Sequence, residues 1–114
     1  MVFENLTPML NSRYNRDNEF MGLSVWHDQE GYLIERHSDN PDIDIAIQVF
    51  LTSGPKELGT MFAYNDEIIQ IDYQENSGYI NDNTTRIEHW MKTPVPKNHT
   101  RYSIYARWKK RENQ

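Results

Sequence analysis

Ile43, Ile45, Ile47, Val49 and Leu51 place five aliphatic residues at every second position of one short stretch. Side chains alternate between the two faces of a β-strand, whereas a helix would scatter these five around its circumference. β-Branched residues dominate the set and favour a pleated backbone. The spacing predicts a strand over 43–51 that hides its aliphatics and turns Asp42, Asp44, Ala46, Gln48 and Phe50 to the opposite face.

The same period of two recurs along the chain. Leu23 and Val25 alternate ahead of a turn at Asp28–Gly31, and Tyr32–Ile34 follows, which predicts a hairpin leading to Glu35, Arg36 and His37. Ser38–Pro41 is a turn by composition. Further strands are predicted over 59–64, 69–73 and, briefly, 79–80, with a turn at Asn65–Asp66. Thr84–Lys92 fits two patterns. Thr85 with Glu88 resembles a helix capping box, while Ile87, His89 and Met91 alternate as in a strand; the β-rich surroundings favour the strand. Tyr102, Ile104, Ala106 and Trp108 share one face of a terminal strand.

Seven or eight short strands, separated by Gly, Pro, Asn and Asp, predict an all-β fold: a small antiparallel β-sandwich or flattened barrel. The chain of 114 residues suits one domain. Residues 1–19 read as an N-terminal element with a polar linker at Asn11–Asn18, residues 20–110 as the β domain and residues 111–114 as a charged tail. Pro8 confines any regular element before the linker to an edge strand or a short helix start.

The composition excludes several classes. Without cysteine there is no disulfide, thiol nucleophile or thiolate metal site. Apolar runs span only a few residues, so no membrane span is expected, and Glu4, Asn5 and Pro8 interrupt the start where a secretory signal would be apolar. The expected location is cytoplasmic. No Gly-x-Ser-x-Gly elbow or phosphate-binding glycine loop is present.

Charge is unevenly spread behind the net −5: Asp28–Glu75 carries −9, and Arg101–Gln114 carries +4. An acidic middle repels phosphate backbones and suits basic partners. Arg101, Arg107, Lys109, Lys110 and Arg111, interleaved with Tyr105 and Trp108, resemble a single-strand-binding face. The acidic body opposes that use, and the basic tail serves equally to neutralise acids within the chain or in a second copy.

Four histidines are available as bases or ligands. None stands in a His-x-His or His-x-x-x-His pair. His27 and His37 are expected to approach across the first hairpin near Asp28, Glu30 and Glu35, as polar residues facing water. Asp39, Asp42 and Asp44 form an acidic run lacking the glycine of a calcium loop. No metal, cofactor or catalytic residue is assigned on this basis. Asn-x-Thr triplets at Asn5, Asn83 and Asn98 read as incidental.

Rings beside acids carry the functional expectation. If Leu23 and Val25 face the core, Trp26 points outward, and Phe50 and Trp90 likewise oppose their aliphatic neighbours. Such anchors rimmed by carboxylates suit a protein interface. The sequence reading is a non-catalytic binding module, a small acidic adaptor or inhibitor with a protein partner. Its predicted contacts are Trp26, Asp28, Glu30, Asp42, Asp44, Phe50 and Trp90, and homo-oligomers are compatible with it. The alternatives are a small-ligand pocket in the barrel mouth and an enzyme using His27 or His37 with a neighbouring carboxylate.

Overall fold

The computed structural model describes residues 3–112 and is mostly β. Helix α1 (Thr7–Tyr14) follows a short 3-10 turn and carries Pro8 in its first turn, where a missing backbone N–H costs nothing. Seven strands follow: β1 (Asn18–Asp28), β2 (Ile45–Phe50), β3 (Thr60–Tyr64), β4 (Glu67–Ile71), β5 (Gly78–Asp82), β6 (Glu88–Trp90) and β7 (Arg101–Lys110). They form two antiparallel sheets, ordered β1-β7-β2-β5 and β4-β3-β6. The all-β sandwich expected from the alternation is the fold observed. The turn at Asn65–Asp66 closes the β3–β4 hairpin, with both residues at positive φ (48° and 63°), as a tight hairpin requires.

The aliphatic face of β2 packs where the pattern placed it, in a core. That core lies on the outer side of the four-stranded sheet, under α1. Leu10 meets Ile45, Ile47, Ala106 and Trp108 there, and Phe20 packs edge-on against Trp108 at 5.4 Å. The inner side of the same sheet faces the second sheet and is polar and aromatic: Trp26 and Asp28 of β1, Arg101, Ser103 and Tyr105 of β7, Gln48 and Phe50 of β2, and Tyr79 and Asn81 of β5.

Several placements differ from the sequence reading. Phe50 is fully buried, packed with Leu58 and Tyr73, because β2 is an interior strand covered on both sides. Alternation alone cannot report a second covering layer. Leu23 and Val25 share the aliphatic face, but α1 is eight residues long and reaches only ~12 Å. Val25 is left 60% exposed. Trp26 consequently turns inward and stacks on Tyr105 at 4.7 Å. A bulge between Phe20 and Gly22 sets this parity, since it adds a residue between the end of β1 under α1 and the rest.

The hairpin expected at 31–37 does not form. Its backbone pairs instead with the segment 89–95: Gly31 N–H donates to the Val95 carbonyl, Val95 N–H to Tyr32, and Met91 N–H to Ile34. His27 is therefore on the exposed outer face beside Tyr102, remote in register from His37. At 84–92 the strand reading holds for Glu88–Trp90, after a 3-10 turn at Asn83–Thr85.

The charged residues are also more occupied than expected. Asp28 and Arg101 stand opposite one another in the β1–β7 ladder and are both buried. Arg101 Nη1 lies 2.8 Å from Asp28 Oδ2, its Nε donates to the Leu58 carbonyl at 2.6 Å, and Nη2 reaches the Thr60 hydroxyl at 3.3 Å. Neither belongs to an outward acidic rim or basic tail. A buried charge persists only when paired, and each supplies the other's partner. Asp44 is held by Arg16 at 3.2 Å and by Asn18 at 2.7 Å. Arg107 donates to the Ser24 hydroxyl from the inner face. Lys109 and Arg111 pair with Glu19 and Asp17 at the start of β1, so the basic end neutralises N-terminal acids rather than the acidic middle. Glu30, Asp42 and Lys110 are exposed, and Trp90 is half-buried under the Arg36 guanidinium at 4.7 Å. Of the tail, residues 113 and 114 lie outside the described residues, as do 1 and 2 of the N-terminal element.

Candidate metal centre

His37 and His89 exchange both backbone hydrogen bonds, at 3.1 and 2.8 Å, as an isolated antiparallel bridge at the edge of β6. Residues so paired project their side chains to the same face, side by side. Their ring centroids are 4.4 Å apart. Residue i+2 of an extended segment shares the face of residue i, which brings Asp39 to the same side as His37. The result is a cluster of two imidazoles and one carboxylate whose ligating atoms all lie within 4.8 Å of one another.

Asp39 Oδ1 is 3.2 Å from His89 Nε2 and 3.8 Å from His37 Nε2. A divalent ion held tetrahedrally at ~2.1 Å would set its donor atoms ~3.4 Å apart, between these two separations. His37 Nδ1 is 2.7 Å from the Glu35 carbonyl oxygen. A carbonyl only accepts, so Nδ1 carries a proton, and in the tautomer this selects Nε2 is the nitrogen with the lone pair facing the cluster. That is the arrangement in which ligating histidines are usually held. His89 is buried, and its Nδ1 has no partner among the described residues. The donor set and its geometry fit a divalent metal.

Burial alone would raise the Asp39 carboxyl. The His89 ring, the Tyr105 hydroxyl and the Asn81 amide outweigh burial and hold it below its ordinary value, so it is an ionised donor. Burial pushes the phenols of Tyr79 and Tyr105 well above their ordinary value, and the nearby Asp39 charge adds to this at both. Both stay neutral.

The cluster opens into a cavity of about 140 Å³ between the sheets. Its walls include Trp26, Gln48, Tyr79 and Tyr105 from the first sheet, Thr60 and Met91 from the other side, and Tyr32 and Ile34 from the connecting segment. Gln48 is fixed at its centre, donating to Ser103 at 3.0 Å and accepting from Tyr79. Trp26 and Tyr32 also line an open groove of about 630 Å³ with His27, Gln29 and Glu30.

Of the residues singled out from the sequence, Trp26 and Trp90 line this cavity. Asp28 and Glu30 line the groove. Asp42, Asp44 and Phe50 do not take part. The sequence reading missed the cluster itself. His37 was grouped with His27, and Asp39 with Asp42 and Asp44. The available signal was His37-Ser38-Asp39, two ligand types two residues apart, together with His89 on an alternating segment.

No protein-family model matches the sequence, and no curated protein matches it. Among solved structures, the fold is similar to a Pseudomonas putida prolyl-4-hydroxylase, with a TM-score of 0.75 at 13% identity over 96% of this chain. A dTDP-4-dehydrorhamnose 3,5-epimerase from Bacillus anthracis aligns over 94% of this chain at 11% identity and a TM-score of 0.38, too low to carry an argument. The chain spans 62% of the length of the hydroxylase. The likeness establishes a shared fold: two facing antiparallel sheets, here with a His/Asp cluster between them.

Proposed function

We propose that this chain is a metal-dependent oxygenase domain that binds ferrous iron through His37, Asp39 and His89. The observation that carries the reading is the convergence of those three side chains on one face in the lining of a cavity. Two histidines and one carboxylate, leaving coordination positions open, are the donor set typical of non-haem iron oxygenases. The fold's likeness to a prolyl-4-hydroxylase supports the same class. When bound, the metal supplies the activation of dioxygen.

The chain's own residues do the rest. His37 Nε2, Asp39 Oδ1 and His89 Nε2 present one face of donors and leave the side toward the cavity free. Neutral Tyr79 and Tyr105 add no charge, so the single carboxylate leaves a divalent ion with net positive charge that favours an anionic or polar co-ligand. Trp26 and Tyr32 line both the cavity and the groove, so a substrate in the groove would lie against rings that also border the metal site. The adaptor reading has no support among the described residues. The alternative of an enzyme using His27 or His37 with a neighbouring carboxylate shares His37 with this proposal and draws on other acids.

The test is anaerobic titration with Fe(II), followed by nitric oxide as a dioxygen surrogate. A high-spin ferrous–nitrosyl signal in electron paramagnetic resonance, lost in His89→Ala and Asp39→Ala, is the expected result. Unchanged metal binding in both variants would remove the basis of the proposal.

A further inference from the structure

The Asp39 carboxylate has two oxygens, and the structure treats them differently. Oδ1 faces His37 and His89. Oδ2 accepts a hydrogen bond from Asn81 Nδ2 at 3.2 Å. Asn81 is 3% exposed and stands on β5, opposite Ala46 of β2. Asp39 is itself largely buried, so an apolar residue in place of Asn81 would leave Oδ2 without its donor.

The loop's backbone is anchored separately. Asn83 Nδ2 donates to the carbonyls of Ile43 at 2.7 Å and Asn40 at 2.9 Å. Arg86 donates to the Asp39 carbonyl at 2.8 Å. These bonds place the Asp39 Cα without Asn81. What they leave free is rotation of the carboxyl group, which the Asn81 bond to Oδ2 restrains together with the Tyr105 hydroxyl.

We infer that Asn81 is a positioning residue that keeps Asp39 a one-oxygen ligand by occupying Oδ2 and presenting Oδ1. This inference rests on the proposed metal site. A carboxylate free to turn can bind through both oxygens and take up a position that a co-ligand needs. Hydrogen-bonded ligands of this kind govern both affinity and coordination number.

The experiment uses Co(II), whose visible absorption reports coordination number, on the whole chain and on Asn81→Leu, Asn81→Ala and His89→Ala. Asn81→Leu keeps the volume and removes the donor. The expected result is a ~10- to 100-fold weaker Co(II) affinity and altered band intensity in both Asn81 variants, with the far-ultraviolet circular dichroism of the free protein unchanged. Wild-type affinity and spectrum in a folded Asn81 variant would overturn the inference, and so would loss of the fold in both variants. If His89→Ala binds Co(II) as the wild type does, the metal site itself fails, a result distinct from failure at Asn81 alone.

Discussion

His37 and His89, 52 positions apart in sequence, bond to each other through both of their backbone amides. The pairing does two jobs. It closes the connecting segment 29–36 over the cavity, and it sets two imidazoles side by side on one face. The geometry of the candidate site is thus a consequence of strand register, with Asp39 following by the two-residue repeat.

Metal addition should stabilise the fold. A ligand that binds only the folded state at 100 times its dissociation constant adds ~2.7 kcal/mol. Calorimetry with and without Co(II) should show a raised Tm in the wild type and none in His89→Ala. An equal rise in both would place the ion elsewhere.

Arg101→Met should cost ~3–5 kcal/mol, because it strands Asp28 as a buried, unpaired charge. The double change Arg101→Met with Asp28→Leu should recover much of that loss. Urea unfolding of the two variants provides the comparison, and equal stability would mean that the pair is not coupled.

Acid sensitivity should trace to Arg16 and Asp82. The Arg16 guanidinium hydrogen-bonds the Asp82 carboxyl through two nitrogens, both at 2.8 Å, and lowers its pKa despite partial burial. A carboxyl with a depressed folded-state pKa adds stability above its unfolded value, ~3.9. That stability fades as pH falls through the folded value. Arg16→Met should therefore lower Tm at pH 7, with the gap from wild type closing below ~pH 4. A gap that stays constant down to acid pH would assign the effect to packing.

Leu10→Ala should lose ~2–5 kcal/mol, since Leu10 is fully buried against Ile45 and Trp108. A loss below ~0.5 kcal/mol, the range for surface positions, would mean that α1 does not cover the sheet in solution.

Gly78→Ala should disrupt β5. A methyl group there would overlap the backbone carbonyl of Gln48 across the β2–β5 ladder, and backbone atoms cannot yield as a flexible side chain can. Because β5 carries Tyr79 and Asn81, Co(II) affinity should fall together with Tm. Retention of both would contradict the close strand approach.

Local alternation determined most of the strands. β2, β4 and β7 were legible from alternation along each strand, β3 as a short apolar run bounded by turn residues, and the hairpin at Asn65–Asp66 because its residues tolerate positive φ. The sequence also contains the three candidate ligands, His37, Asp39 and His89, but nothing local marks them as a set. Only the tertiary structure decided which side of each strand is covered and by what. α1 covers one end of an aliphatic face, the second sheet covers the polar face, and a single bulge in β1 fixes the parity of Trp26. It also decided that 31–37 pairs with 89–95 rather than folding back on β1. The physical reason is that periodicity is a property of a few neighbouring residues. Burial and ligand convergence depend on register between segments far apart in the chain, and no local pattern encodes that register.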